Sequence, residues 1–193
     1  MLFTSKEYEQ AAEKFLAAGD YLDAFRRASE CLYEPAVLLM QAGDYLAAKA
    51  SFDQILAYRD SALLSQRCSY ELGIKAMEEQ KWEEAAAHLA LAPEVAEAPG
   101  KLKEVDYLMA EAALAGGDLQ GAAGLFDGAG DYRDAKSRAQ KVRFDLGIQL
   151  ANQGDYLGAA DVFAGIPDYP GAGDELTRAK YNHAISLLDK GEN

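Results

Sequence analysis

Histidine and cysteine are scarce in this chain, with two of each in 193 residues. That scarcity removes most of the usual means of building a metal centre or a thiol- or imidazole-based catalytic site. His88 and His183 lie far apart in sequence, and neither has a cysteine or a second histidine at ligand spacing. Positive charge is also short: 19 Lys and Arg face 32 Asp and Glu, a formal charge of −13. A surface so acidic argues against non-specific nucleic-acid binding, which needs phosphates to be neutralised. No apolar run approaches the roughly 18 residues of a membrane span. Met1-Leu2-Phe3-Thr4-Ser5-Lys6 lacks the basic start, apolar run and cleavage site of a signal peptide. These absences predict a soluble, cytoplasmic protein that works without a cofactor and without catalysis.

What is present is a repeat. Stepping 37 residues carries Tyr8 to Tyr45, Trp82, Leu119 and Tyr156, and Phe15 to Phe52, Leu89, Phe126 and Phe163. Tyr21 becomes Tyr58, Val95, Tyr132 and Tyr169, while Tyr33 becomes Tyr70, Tyr107, Phe144 and Tyr181. All 11 tyrosines fall in the columns of Tyr8, Tyr21 and Tyr33. Five units follow one another without a gap, at 8–44, 45–81, 82–118, 119–155 and 156–192, within a single domain spanning 1–193. A fixed period of this size marks a stacked array in which each unit buries its apolar face on its neighbours. Cys31 and Cys68 share one column with Val105, Val142 and Ala179. Equivalent positions on stacked helices lie roughly 8–10 Å apart, beyond the ~7 Å Cα separation a disulfide tolerates. The two thiols are therefore expected to be unbridged, small and buried.

Each unit reads as two helices. Tyr45, Ala48, Phe52, Ile55 and Leu56 have helical spacing and predict a short helix over 45–56, and 61–80 reads as one long helix. Gly43-Asp44, Gly117-Asp118 and Gly154-Asp155 form the hinge from long to short helix: glycine takes the left-handed cap and aspartate starts the next helix. Asp60 is expected to cap the following long helix in the same way. Local departures predict local faults. Pro35 should kink or break its helix near 31–33. Val95, Glu97 and Pro99-Gly100 should loosen the third turn and delay its helix to Lys101. Pro170-Gly171 should delay the last helix to Asp174. Gly191-Glu192-Asn193 stops where another Gly-Asp-Tyr would fall, so the chain reads as a segment of a longer protein or as a unit that stacks end to end.

The small residues Ala36, Gly73, Ala110, Gly147 and Ala184, the Gly-Asp-Tyr turn, and an alanine followed four residues later by Phe or Leu together resemble the tetratricopeptide repeat. The alanines are Ala11, Ala48, Ala85, Ala122 and Ala159. The period exceeds the family's usual 34 residues, and an Asp-Tyr-Arg-Asp turn replaces the proline that commonly closes each repeat. In this the chain looks like bacterial tetratricopeptide-like arrays. The resemblance implies an all-α fold, a right-handed α-solenoid of antiparallel helix pairs, whose long helices line a concave groove that holds proteins or peptides.

Candidate contacts come from the outward stripe of the long helices. In four units the stripe is charged or polar, but in the third it reads Leu108, Ala112 and Ala115, an apolar island flanked by Arg67, Lys141 and Arg178. These six residues are the expected binding site for a protein or extended peptide, an apolar anchor with acidic flanks. Asp127-Gly-Ala-Gly-Asp131-Tyr-Arg-Asp134 lacks the alternating ligands of a calcium loop and reads as turn capping. The composition and repeat thus point to a binding scaffold, with end-to-end self-association as a further expectation. A structural spacer or assembly segment, or a regulatory repeat domain of a larger enzyme, are the alternatives.

Overall fold

The computed structural model describes residues 5–189 and 191, and among them the regular structure is entirely helical. Short helices α1 (Ser5–Ala17), α3 (Tyr45–Phe52), α5 (Trp82–Ala90), α7 (Leu119–Ala129) and α9 (Tyr156–Ala164) alternate with long ones. The long helices are α2 (Ala24–Gln41), α4 (Ser61–Glu78), α6 (Ala98–Ala115), α8 (Ala135–Asn152) and α10 (Ala172–Asp189). Each long helix has 18 residues, so the sequence repeat is also a repeat of element length. The chain forms two compact units, Met1–Leu102 and Lys103–Asn193, with the division falling inside α6. In the first, each of α1 to α5 packs on the next; in the second, α7 to α10 do the same.

Two kinds of turn separate the helices, and each has its own chemistry. Before the short helices, Gly43, Gly117 and Gly154 have φ of 81°, 82° and 84°, a conformation that costs glycine nothing. Asp44, Asp118 and Asp155 then accept hydrogen bonds from the backbone N–H of Ala47, Gly121 and Gly158, as N-caps. At the second of the four hinges Gln80 must take the left-handed conformation itself, with φ of 58°. Before the long helices, the same two backbone bonds recur in every unit. Tyr58 N–H donates to Ile55 and Ser61 N–H to Tyr58; at the third turn Val95 donates to Ala92 and Ala98 to Val95. The third turn is therefore closed like the others, where a looser one was expected.

Other expectations need correction. Helix α2 runs unbroken through Pro35, with Ala28, Leu32 and Ala36 buried on its packed side. The packing of that face outweighs the loss of one backbone hydrogen bond. Helix α6 starts at Ala98, not Lys101, because Pro99 falls in the first turn, where its missing N–H would have had no helical partner. Helix α10 starts at Ala172, which is fully buried, directly after Gly171 at φ 86°. Helix α3 ends at Phe52 and tightens into a 3-10 turn, Asp53–Ile55. Asp60 and Asp134 make no side-chain cap at all, for a reason given below.

The core depends on one contact repeated along the chain. Phe52, Phe126 and Phe163 have no exposed surface, and Leu89 almost none. Each large side chain faces the small residue of the preceding long helix. A Cβ added at Gly73 would lie 2.8 Å from Leu89 Cγ, and one at Gly147 would lie 2.6 Å from the Phe163 ring. Ala36 shares a buried cluster with Phe52, and Ala110 shares one with Phe126. A side chain no larger than a methyl group at that position is what lets the short helix approach closely enough to bury its Phe or Leu. Both cysteines are free, Cys68 buried and Cys31 half-buried, and burial pushes the Cys68 thiol up to about 11.

Phe52→Ala or Phe126→Ala should each cost about 3–5 kcal/mol in denaturant unfolding, the range for emptying a ring site in a packed core. Gly147→Ala should cost about 1–3 kcal/mol by overpacking against Phe163. Losses below about 1 kcal/mol at the phenylalanines would place them outside the core.

Candidate functional site

The turn before each long helix carries the side chains that close one junction and leave another open. Arg59 and Arg133 occupy the left-handed region, at φ 48° and 47°, a conformation uncommon outside glycine. From there the Arg59 guanidinium lies over the rings of Tyr33 and Tyr58, at 4.8 and 5.1 Å, and Arg133 lies over Tyr107 and Tyr132, at 5.6 and 5.2 Å. Tyr33 donates its hydroxyl to Asp60 at 2.6 Å and Tyr107 donates to Asp134 at 2.7 Å. This is why neither aspartate caps its helix: its carboxylate ties the turn to the tyrosine of the preceding long helix. Edge-on contacts complete the clasp, with Tyr33–Tyr58 and Tyr107–Tyr132 centroids both 5.6 Å apart. Hydrogen bonding to Asp60 holds the Tyr33 hydroxyl above its ordinary pKa, and the bond to Asp134 does the same for Tyr107.

Where one partner of the clasp is missing, the other is missing too. Phe144 stands in the tyrosine column and Gly171 in the aspartate column, so no buried hydroxyl is left without an acceptor. The ring still packs on Phe163 and Tyr169, with centroids 5.6 and 5.0 Å away.

Tyr70 is the exception. Its turn offers Val95, Ala96 and Glu97 in place of Tyr, Arg and Asp, and the Tyr70 hydroxyl makes no hydrogen bond among the described residues. An open pocket of about 560 Å³ lies there instead, lined by Tyr70, Arg67 and Leu63 of α4, Met40 of α2, and the 94–97 turn. A second hollow of about 280 Å³ shares Met40 and Glu71 with it and extends past Val37 and Leu64. Met40, Leu63, Val95 and Ala96 make up the apolar part of the lining, and Glu71, Glu94 and Glu97 outnumber its single cation, Arg67. Arg67 is exposed and forms no ion pair among the described residues.

The six expected contact residues are spread over both compact units. Leu108 is half-buried on α6, and Ala112 and Ala115 are exposed on the same helix. Lys141, on α8, already binds Asp145 at 2.8 Å, and Arg178, on α10, binds Glu175 at 2.5 Å. Arg67 alone lines a pocket in the first unit, and no hydrogen bond or ion pair joins any two of the six. Met40, Leu63 and Tyr70 were not among the expected contacts; the signal for them was the substituted turn at 95–97. The acidic turn of residues 127–134 is occupied by protein partners: Asp127 pairs with Arg143, Asp131 with Lys103 at 2.6 Å, and Asp134 with Tyr107. Among the described residues no group of acids, histidines and cysteines is placed to hold a metal ion, and no helix is long and apolar enough to cross a membrane. No family model matches the chain, and no curated protein matches it significantly.

The clasp makes a prediction about pH. A tyrosine whose folded pKa is raised contributes stability that is complete below its unfolded value of about 10 and is lost as pH rises through the folded value. Conversely, Asp134 is lowered by its bond from Tyr107, so that part of the stability is lost as pH falls through its folded pKa. Tyr33→Phe with Tyr107→Phe should lower the neutral-pH melting midpoint by about 2–4 °C per site and flatten the alkaline fall. A double variant with the wild-type alkaline profile would mean that the two hydroxyls contribute nothing.

Proposed function

We propose that this protein is a non-catalytic scaffold that holds a protein or an extended peptide in a groove lined by the long helices of a right-handed, tetratricopeptide-like α-solenoid. The observation that carries this reading is the open pocket at Tyr70. At the Tyr33 and Tyr107 junctions arginine, tyrosine and aspartate fill the space beside the long helix. At Tyr70 that space is left free, lined by Met40, Leu63, Val95 and Ala96 and by Arg67, which forms no ion pair among the described residues. Such a site takes one apolar side chain of an extended segment as an anchor, and Arg67 reads an acid beside it. Leu108, Ala112 and Ala115, with Lys141 and Arg178 nearby in the repeat pattern, are proposed as a second contact of the same kind on α6. An anchor buried in a pocket sets affinity, whereas charges at the rim act on encounter and specificity.

Selection from a displayed peptide library should enrich sequences with one large apolar residue next to an acid. Leu63→Glu should weaken the selected peptides at least about tenfold, and Arg67→Glu should remove the preference for the acid, with helicity unchanged in both. Leu108→Glu tests the second contact in the same assay. Peptides that bind with the same affinity to all three variants, or a library that yields none, would overturn the groove reading.

A further inference from the structure

At the Tyr33 junction the turn arginine has two partners on the long helix. The Arg59 guanidinium lies 4.8 Å from the Tyr33 ring centroid and pairs with Glu34 at 3.3 Å. Arg133 repeats the ring contact at Tyr107. One repeat on from Tyr33 and Glu34 the chain has Tyr70 and Glu71, but Ala96 stands where Arg59 would recur. Both groups that receive a guanidinium are kept on α4, and the arginine that would supply it is gone.

The space left behind is the open pocket of about 560 Å³, whose lining includes Tyr70, Glu71 and the 94–97 turn. All of it lies within the first compact unit. Its charge is set for a cation. Glu71, Glu94 and Glu97 form no ion pair among the described residues, and only Arg67 in the lining opposes them. The Tyr70 ring is half-buried and makes no ring or cation contact among the described residues. A cation entering here gains from the ring face and from the carboxylates together. A guanidinium suits both better than an ammonium does: it is planar, stacks on a ring, forks onto a carboxylate and is more weakly hydrated.

We propose that the segment held at Tyr70 carries an arginine, whose guanidinium takes the place over the Tyr70 ring that Arg59 takes over Tyr33, with Glu71 as its carboxylate partner. This rests on the groove reading of the same pocket and adds a third element to the ligand. The apolar anchor packs on Met40 and Leu63, Arg67 reads an acid, and the carboxylates around Tyr70 read an arginine. The occupant is defined by the chain itself, which fills the equivalent place with its own arginine at Tyr33 and at Tyr107.

The probe is N-acetyl-L-argininamide, titrated into the millimolar range against the isotopically labelled full chain and followed by amide chemical shifts. Shifts should saturate and centre on Tyr70, Glu71 and residues 94–97. The Tyr33 and Tyr107 junctions, already filled, should hardly move. N-acetyl-L-lysinamide should bind about two- to fivefold more weakly. Tyr70→Phe should keep the site, whereas Tyr70→Leu and Glu71→Gln should each weaken it about two- to fivefold. If Tyr70→Leu disturbs the fold, Glu71→Gln decides, since Glu71 has no ion pair to lose. Shifts scattered over the acidic surface, equal binding of the two amides, or affinity that ignores Glu71→Gln would overturn the proposal. So would library peptides that bind at Leu63 but carry no arginine, an outcome that leaves the groove reading intact. A saturating argininamide site in a protein that selects no peptide would overturn the segment in both readings and leave the place over Tyr70 to a free guanidinium compound.

Discussion

A large apolar side chain seated on a glycine or alanine of the preceding long helix is the contact that the rest of this structure depends on. Phe163 lies so close to Gly147, and Leu89 to Gly73, that a single added methyl group would collide with them. That closeness sets how near each short helix comes to the long helix before it, and so fixes where the following turn begins. The turn then delivers its own side chains to the tyrosine of the same long helix. Burial and hydrogen bonding thus act on the same pairs of helices: apolar contact supplies most of the attraction, and the clasp fixes the register. The arginines at φ near 48° bear a modest backbone cost that belongs to the turn itself, since Leu22 takes the same conformation without a clasp.

Much of this was legible in the sequence because the period is strict. The helices, the Gly-Asp hinges and the buried Phe column follow from residue spacing alone, since helical periodicity and caps are local properties. What local signals gave wrongly were the helix starts. Pro99 and Pro35 look like breakers in isolation, but the first falls in a helix's first turn and the second in a helix held by Ala28, Leu32 and Ala36. Asp60 looks like an N-cap, yet it serves a tyrosine 27 residues earlier in the chain. Nothing in its immediate neighbourhood signals that partner. The pairing of Phe144 with Gly171, against Tyr33 with Asp60 and Tyr107 with Asp134, does signal it once the columns are compared.

The same comparison gives functional meaning to departures from the pattern. The substituted turn at 95–97 keeps its backbone bonds, so the change affects surface rather than folding, and the surface it exposes is a pocket beside Tyr70 and Arg67. After α1 the turn reads Tyr21-Leu22-Asp23, with leucine in the arginine column of the clasp. The interruptions of the repeating contact are few enough to name. The apolar island at Leu108, Ala112 and Ala115 was conspicuous from composition; the pocket at Tyr70 required knowing what normally fills it.

The central claim is that the tyrosine–arginine–aspartate clasp closes a junction and that a tyrosine left without its turn partners opens one. The direct measurement is the melting midpoint of the chain after the clasp has been transplanted to the open turn by Val95→Tyr, Ala96→Arg and Glu97→Asp together. The account predicts a rise of about 2–4 °C, because Tyr70 gains the acceptor and ring contacts that Tyr33 and Tyr107 already have. An unchanged or lower midpoint would contradict it, and would make the clasps at Tyr33 and Tyr107 a consequence of the packing rather than one of its causes.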